Sequence, residues 1–269
     1  MQKKRIKRLI QWTLILYGLG GIAIFYLQDY FFFQRVPLTK DHSYKLGIPF
    51  RELNLAFNSL SNINIIQFPT ADTPAKGIVL YFHGNRKNIS WYARYAPNFT
   101  KVGYEVWMID YPGYGKSTGE LEEEILYAYA LQMYKLARKK FSPDSLIIYG
   151  KSMGTGIAAH LASHQPAKRL ILETPYYSFA SVGSHFFPIY PMEQMIHIKL
   201  PTYEYLPEVT MPVAMLHGTA DWIIPYSNAK RLVPFLKKGD EFITIEGAGH
   251  NNLNEYPLFQ HKLDSLLRQ

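Results

Sequence analysis

The chain of 269 residues contains no cysteine. That excludes disulfides, a thiolate metal site and a lipid carried on a cysteine. No internal repeat or low-complexity tract interrupts it, and an apolar content of 48% excludes a disordered chain. No charge of either sign falls between Leu9 and Leu27, and no acidic residue precedes Asp29. The formal net charge is +8, yet five of the positive charges lie in the first eight residues, leaving about +3 for everything else. The basic character is therefore concentrated in a short tail, where it sets topology. Nucleic-acid binding would need cations spread over a face of the folded domain and is not expected.

What is present first is a membrane signal. Residues 9–27 would span about 28 Å as a helix, close to the thickness of the hydrocarbon core. The division expected is a basic cytoplasmic tail over 1–8, a transmembrane signal anchor over 9–27, a connector over 28–48 holding Pro37, and a catalytic domain over 49–269. Positive-inside logic keeps the tail in the cytoplasm and puts the domain on the far side, periplasmic or extracellular. Gly21-Ile22-Ala23 fits the small-x-small pattern of a cleaved signal peptide, but Ile24-Phe25-Tyr26-Leu27 carries the apolar run past that point. An uncleaved anchor is therefore expected, with a cleaved signal peptide as the competing reading. Phe31-Phe32-Phe33 suits the membrane–water interface.

The most informative stretch is Gly150-Lys151-Ser152-Met153-Gly154, which follows the apolar run Leu146-Ile147-Ile148-Tyr149 and precedes a helix-like run. Strand, G-x-S-x-G and helix in that order form the context of a nucleophile elbow. A turn that tight leaves no room for flanking side chains, so Gly150 and Gly154 are supporting residues. A serine hydroxyl is a weak nucleophile until a base takes its proton. The elbow thus predicts a histidine, and an acid to orient it, further along the chain. His250 in Gly249-His250 and Asp221 in His217-Gly218-Thr219-Ala220-Asp221 each follow a strand-like run. Ser152, His250 and Asp221 are therefore expected as nucleophile, base and orienting acid. Glu173, behind another strand, is the competing acid. For the oxyanion, one donor is expected from the N–H of Met153 and the second from Asn85, in the loop His83-Gly84-Asn85 behind Ile78–Phe82. Gly84 lets that backbone approach, and His83 supports the loop.

Strand candidates run 52–57, 63–68, 77–82, 105–109, 145–149, 169–172, 213–216 and 241–245, and helix candidates 90–101, 120–140, 153–163, 227–237 and 253–267. This alternation predicts an α/β fold with an eight-stranded, mostly parallel sheet covered by helices on both faces. The first two strands, joined by a short turn, are expected as an antiparallel hairpin at one edge.

With these motifs in order, residues from about 45 onward resemble the α/β-hydrolase superfamily. His83-Gly84-Asn85, Asp110 to Gly115, the elbow, His217 to Asp221 and Gly249-His250 carry the likeness, closest to small membrane-anchored serine hydrolases of the serine-aminopeptidase-like and depalmitoylase-like branch. The resemblance implies acyl transfer to water through an acyl-serine and no cofactor. It does not carry the substrate, since this fold hosts many chemistries.

Residues 176–207, rich in Tyr, Phe and Pro, are too long for an ordinary connection and are expected as a short lid. A packed surface excursion with no gating role is the alternative. An aromatic lid and a membrane tether favour a small-molecule or lipid-like acyl ester or thioester as substrate. An aminopeptidase would need an acid for the substrate ammonium, for which Glu193 and Glu204 stand in the lid. A non-catalytic scaffold would be expected to lose an elbow glycine or a triad residue. No histidine spacing supports a metal site. Gly115-Lys116-Ser117 and Gly150-Lys151-Ser152 resemble the end of a P-loop but lack its first glycine, with Asp110 and Ser145 in that place, so no nucleotide is expected. Asn88-Ile89-Ser90 and Asn98-Phe99-Thr100 match the N-glycosylation pattern.

Overall fold

The computed structural model describes residues 2–269. A long N-terminal helix, α1 (Gln2–Phe32), precedes the sheet strands β1 (Arg51–Ala56), β2 (Asn62–Phe68), β3 (Gly77–Phe82) and β4 (Tyr104–Ile109). Helix α2 (Glu123–Ala137) leads to β5 (Leu146–Lys151), α3 (Gly154–His164) and β6 (Arg169–Glu173). Helix α4 (Phe179–Phe186) opens the excursion, and β7 (Val213–Gly218), β8 (Glu241–Ile245) and α5 (Pro257–Arg268) follow. The eight strands form one sheet in the order β8-β7-β6-β5-β3-β4-β2-β1. Within that sheet only the β1–β2 and β2–β4 pairings are antiparallel, so the edge hairpin stands where the short turn put it.

The sheet is covered on both faces. β3, β5 and β7 are buried along their whole length, as expected of near-continuous apolar runs in a parallel sheet. Leu80, Ile148 and Leu172 pack on one face with α2 and α3, while Val79, Ile147 and Leu216 pack on the other with Phe259 and Leu263 of α5. Register sets where the loops emerge. Phe82 pairs with Gly150 and Lys151 with Glu173, so the loops leaving β3, β5 and β6 stand side by side.

Three expected helices are broken, each beside a proline: the run 253–267 is a 3-10 turn over Leu253–Glu255 before a helix that starts at Pro257. The run 90–101 divides into Ile89–Tyr92, a 3-10 turn and Pro97–Thr100. The run 227–237 stops after Tyr226–Lys230 and resumes as a 3-10 turn holding Pro234. Proline lacks the N–H that would continue the ladder, and its ring crowds the preceding turn. In the other direction, α1 runs five residues past Leu27, through a stretch that holds no glycine or proline. The connector then adds a two-residue parallel pairing, Gln34–Arg35 with Arg86–Lys87.

Helix α1 is long and apolar enough to cross a membrane, and 6% of its most apolar window is buried by the rest of the protein. Its C-terminal part is different. Phe32 and Phe33 are buried, not interfacial, and pack on Phe179 and Phe187. Gln28, also buried, bonds the backbone of residues 195–197 through both ends of its amide. Its Nε2 donates to the Met195 carbonyl at 3.0 Å, and its Oε1 accepts the His197 N–H at 2.8 Å.

Candidate active site

Ser152 occupies the turn between β5 and α3 with a φ of 52°, a left-handed conformation that few non-glycine residues adopt. Both flanking glycines are required by space. A Cβ on Gly150 would lie 2.5 Å from the Gly154 carbonyl oxygen and 2.7 Å from the Thr155 Cα, and one on Gly154 would collide with the Phe82 carbonyl. The Ser152 N–H donates to the Glu173 carbonyl at 2.9 Å, tying the elbow to β6.

A continuous hydrogen-bonded chain runs from the serine. His250 Nε2 lies 2.9 Å from Ser152 Oγ, and His250 Nδ1 lies 2.7 Å from Asp221 Oδ2. The other carboxylate oxygen of Asp221 accepts the N–H groups of Ile223 and Ile224, each at 2.9 Å. Burial would raise the Asp221 carboxyl, but the His250 hydrogen bond and charge and the Ile224 N–H outweigh it and hold the group below its ordinary value. His217 stands behind, 3.4 Å from Asp221 Oδ2, with its Nε2 2.9 Å from the Ile224 carbonyl oxygen. Burial pushes His217 down, so it stays neutral and serves as support for the loop.

The loop after β3 closes on the same point. A Cβ on Gly84 would lie 2.7 Å from Tyr92 Oη and 3.3 Å from the Ser152 Cβ, so the close approach depends on glycine here too. The imidazole of His83 is fully buried, bonded at Nδ1 to the Gly84 carbonyl (2.7 Å) and at Nε2 to Asp110 Oδ1 (3.2 Å). Asp110 Oδ1 also accepts the Ile89 N–H at 3.0 Å. The Asn85 carbonyl accepts from Gln34 N–H (3.0 Å) and Tyr114 Oη (2.8 Å). The N–H groups of Asn85 and Met153 donate to no protein atom among the described residues.

The competing acid is otherwise engaged. Glu173 is buried and bonds Lys151 Nζ through one oxygen and Tyr149 Oη through the other. It does not reach His250. The elbow lysine is therefore half of a buried ion pair between neighbouring strands. No motif marks that role, because it rests on the β5–β6 register. Asn88 is buried, its amide bonding Ser90 N–H and the Val36 carbonyl, which leaves no room for a glycan on it.

A cavity of about 500 Å³ opens at Ser152. Residues 176–207 fold as α4 and two single-turn helices, Met192–Met195 and Thr202–Tyr205, and contribute Tyr176, Phe179, Val182, Phe186 and Phe187 to its wall. Phe31 and Phe32 of α1 complete that side, and Trp222, 70% exposed, stands beside Asp221. Arg86, Lys87 and Lys151 also line the cavity, and among the described residues no aspartate or glutamate does. Glu193 is near Ser178 Oγ (3.4 Å) and Glu204 accepts from Tyr203 Oη (2.8 Å), both away from the cavity.

The sheet order, the strained serine turn and the loops converging on it define the α/β-hydrolase fold. Within it, residues 73–203 match the serine aminopeptidase family S33. An uncharacterised protein of Mycobacterium tuberculosis is 29% identical over 187 residues, 69% of this chain and 66% of its own length. Human alpha/beta hydrolase domain-containing protein 17B is 28% identical over 200 residues, covering 72% of this chain and 67% of that protein. The match thus spans slightly less than two thirds of the mycobacterial relative. In three dimensions, an esterase of Pyrococcus furiosus superposes with a TM-score of 0.67 at 15% identity, over 88% of this chain and 97% of its own. A cold-adapted esterase from an Arctic intertidal metagenome gives 0.64 at 17% identity, over 86% and 97%. At these identities the superpositions speak for the fold.

Proposed function

We propose that the protein is a membrane-anchored serine hydrolase that cleaves carboxylic esters or thioesters of acyl, lipid-like character. Ser152 attacks the acyl carbon while His250 takes its proton. Asp221 holds the imidazole in the tautomer that accepts at Nε2 and stabilises its positive charge. The oxyanion is received by the N–H groups of Met153 and Asn85. The leaving alcohol or thiol takes the proton from His250, and water repeats the sequence on the acyl-serine. α1 crosses the membrane with residues 1–8 in the cytoplasm and the domain outside.

The observation that carries the substrate class is the cavity's lining: aromatic and aliphatic on the lid side, cationic beside the elbow, and without an acid among the described residues. A substrate ammonium would meet Arg86 and Lys87 with no acid in the cavity wall to receive it, Lys151 being paired with Glu173, which argues against an aminopeptidase. The test is fluorophosphonate labelling of the full chain in detergent or bilayer, beside Ser152→Ala, followed by turnover of p-nitrophenyl esters and aminoacyl anilides. Labelling confined to the wild type with ester turnover is the expected result. Faster release from aminoacyl anilides would transfer the reading to a peptidase, and an unlabelled, folded wild type would leave a scaffold.

A further inference from the structure

The excursion does more than roof the cavity. Its tip, Phe186-Phe187-Pro188-Ile189-Tyr190-Pro191-Met192, carries no charge and lies along α1. Tyr190 stacks on Tyr17 with ring centroids 4.8 Å apart and donates its hydroxyl to the Tyr17 carbonyl at 3.0 Å. Tyr17 Oη returns a bond to the Ile189 carbonyl at 3.1 Å. The notch that admits Tyr190 is made by Gly20 and Gly21, since a Cβ on Gly20 would collide with the Tyr190 hydroxyl and one on Gly21 would lie 3.3 Å from its ring.

Those contacts fix a depth. Gly20 lies seven residues inside the uncharged run that ends at Leu27, or about 10 Å at the helical rise. A helix that crosses the bilayer therefore takes Tyr190 out of water. The part of the run before Tyr17 is only eight residues, about 12 Å, too short to span on its own. The tip is built for such a place. Phe186 and Ile189 are exposed, and hydrocarbon would cover them. Pro188 and Pro191 have no N–H to satisfy, and those of Phe187, Tyr190 and Met192 donate to Gly183, Phe187 and Tyr190, leaving the Ile189 N–H. A non-helical segment at membrane depth is costly in proportion to its unmet backbone groups, and among these donors the Ile189 N–H alone is left.

The same segment reaches the reaction centre. Phe31 and Phe32 of α1 and Phe179, Val182, Phe186 and Phe187 of the lid form one wall of the Ser152 cavity. We infer that the lid tip is embedded in the bilayer beside α1, and that the acyl chain of a membrane-resident ester enters the Ser152 cavity from the leaflet along the seam between them. The anchor is thus a wall of the site as well as a tether. The entry half of this inference rests on the proposed serine hydrolase function, whereas the embedding half does not.

The absence of cysteine makes the test direct. Ile189→Cys and, at the opposite end of the sheet before β5, Asp144→Cys are each labelled with an environment-sensitive fluorophore in the full chain. Both are then reconstituted in phosphatidylcholine nanodiscs with and without brominated acyl chains. Bromine quenching at 189 and none at 144 is expected. In parallel, Ile189→Asp in the same discs is expected to lose on the order of tenfold or more on p-nitrophenyl palmitate dissolved in the bilayer, because a carboxylate resists that depth. Turnover of water-soluble p-nitrophenyl butyrate should stay within about twofold, as for a surface change outside the site. Quenching at 189 no stronger than at 144, or equal effects on the two esters, overturns the inference. Failure of the serine reading is separate: wild-type turnover would survive Ser152→Ala while the quenching pattern stood unchanged.

Discussion

The two sides of the cavity are built by opposite means. On the elbow side, short loops leave adjacent strands, and each critical residue is pinned by a hydrogen bond or by a glycine that no other side chain can replace. On the lid side, segments more than 140 residues apart in the chain meet through rings and apolar surface, with Phe32 and Phe33 packed on Phe179 and Phe187. The first construction holds atoms to within a hydrogen bond's tolerance, which reaction chemistry needs. The second offers shape and apolarity without fixing any single atom, which suits selection of a chain. Chemistry and selectivity should therefore be separable by mutation.

The largest effect is expected at the centre. Ser152→Ala should remove roughly 10⁶ in kcat for every ester, long or short, with the melting temperature close to wild type. Asp221→Asn, which keeps the shape but favours the wrong imidazole tautomer, should cost roughly 10⁴ in kcat. If either variant spared short esters alone, the two sides would not be separable.

Lys151→Met probes the support beneath the elbow. Removing one partner strands Glu173 as a buried charge, and about 3–5 kcal/mol of stability should be lost in denaturant titration. Adding Glu173→Gln should recover part of it. Recovery of activity alongside stability would identify the pair as a positioning device for the elbow. On the apolar side, Phe179→Ala should lower kcat/KM for a long-chain ester roughly tenfold more than for a butyrate, since it removes chain contacts worth a few methylenes. Equal losses would mean that the wall holds the centre in place.

The smallest effect is expected outside the cavity, where α3 packs on Tyr205. His160 stacks on Tyr127 at 3.6 Å, and burial together with the nearby His164 pushes it down from 6.5 to about 4. The folded state therefore disfavours the proton that the unfolded chain accepts. The resulting stability is present above pH 6.5, falls as the pH drops from 6.5 to about 4, and levels off below that. His160→Gln should flatten this part of the Tm–pH curve while leaving ester selectivity unchanged, and an unaltered slope would assign it to other groups.

Much of the fold is legible along the chain. The central strands are marked by apolar runs bounded by turn residues, because a buried parallel strand leaves that pattern in sequence, whereas the exposed edge strand β1 shows only alternation. The helix breaks at Pro97 and Pro234 escape a reading by periodicity, which passes over the proline within the run. Among the candidate site residues, Ser152, His250 and Asp221 come together in the order expected, and Gly84, Gly150 and Gly154 sit where close approach demands them. The engagement of Glu173 with Lys151 is not legible, because it depends on which residues of two strands stand opposite one another.

The elements, the serine turn with its glycines and the apolar N-terminal helix each follow from local sterics or from the length of an uncharged run. Which acid faces His250, the inward turn of Phe32 and Phe33, and the seating of Tyr190 in the notch at Gly20 and Gly21 emerge in the folded chain alone. These are contacts between segments far apart in the chain, and residue patterns along one segment carry no record of what packs against it.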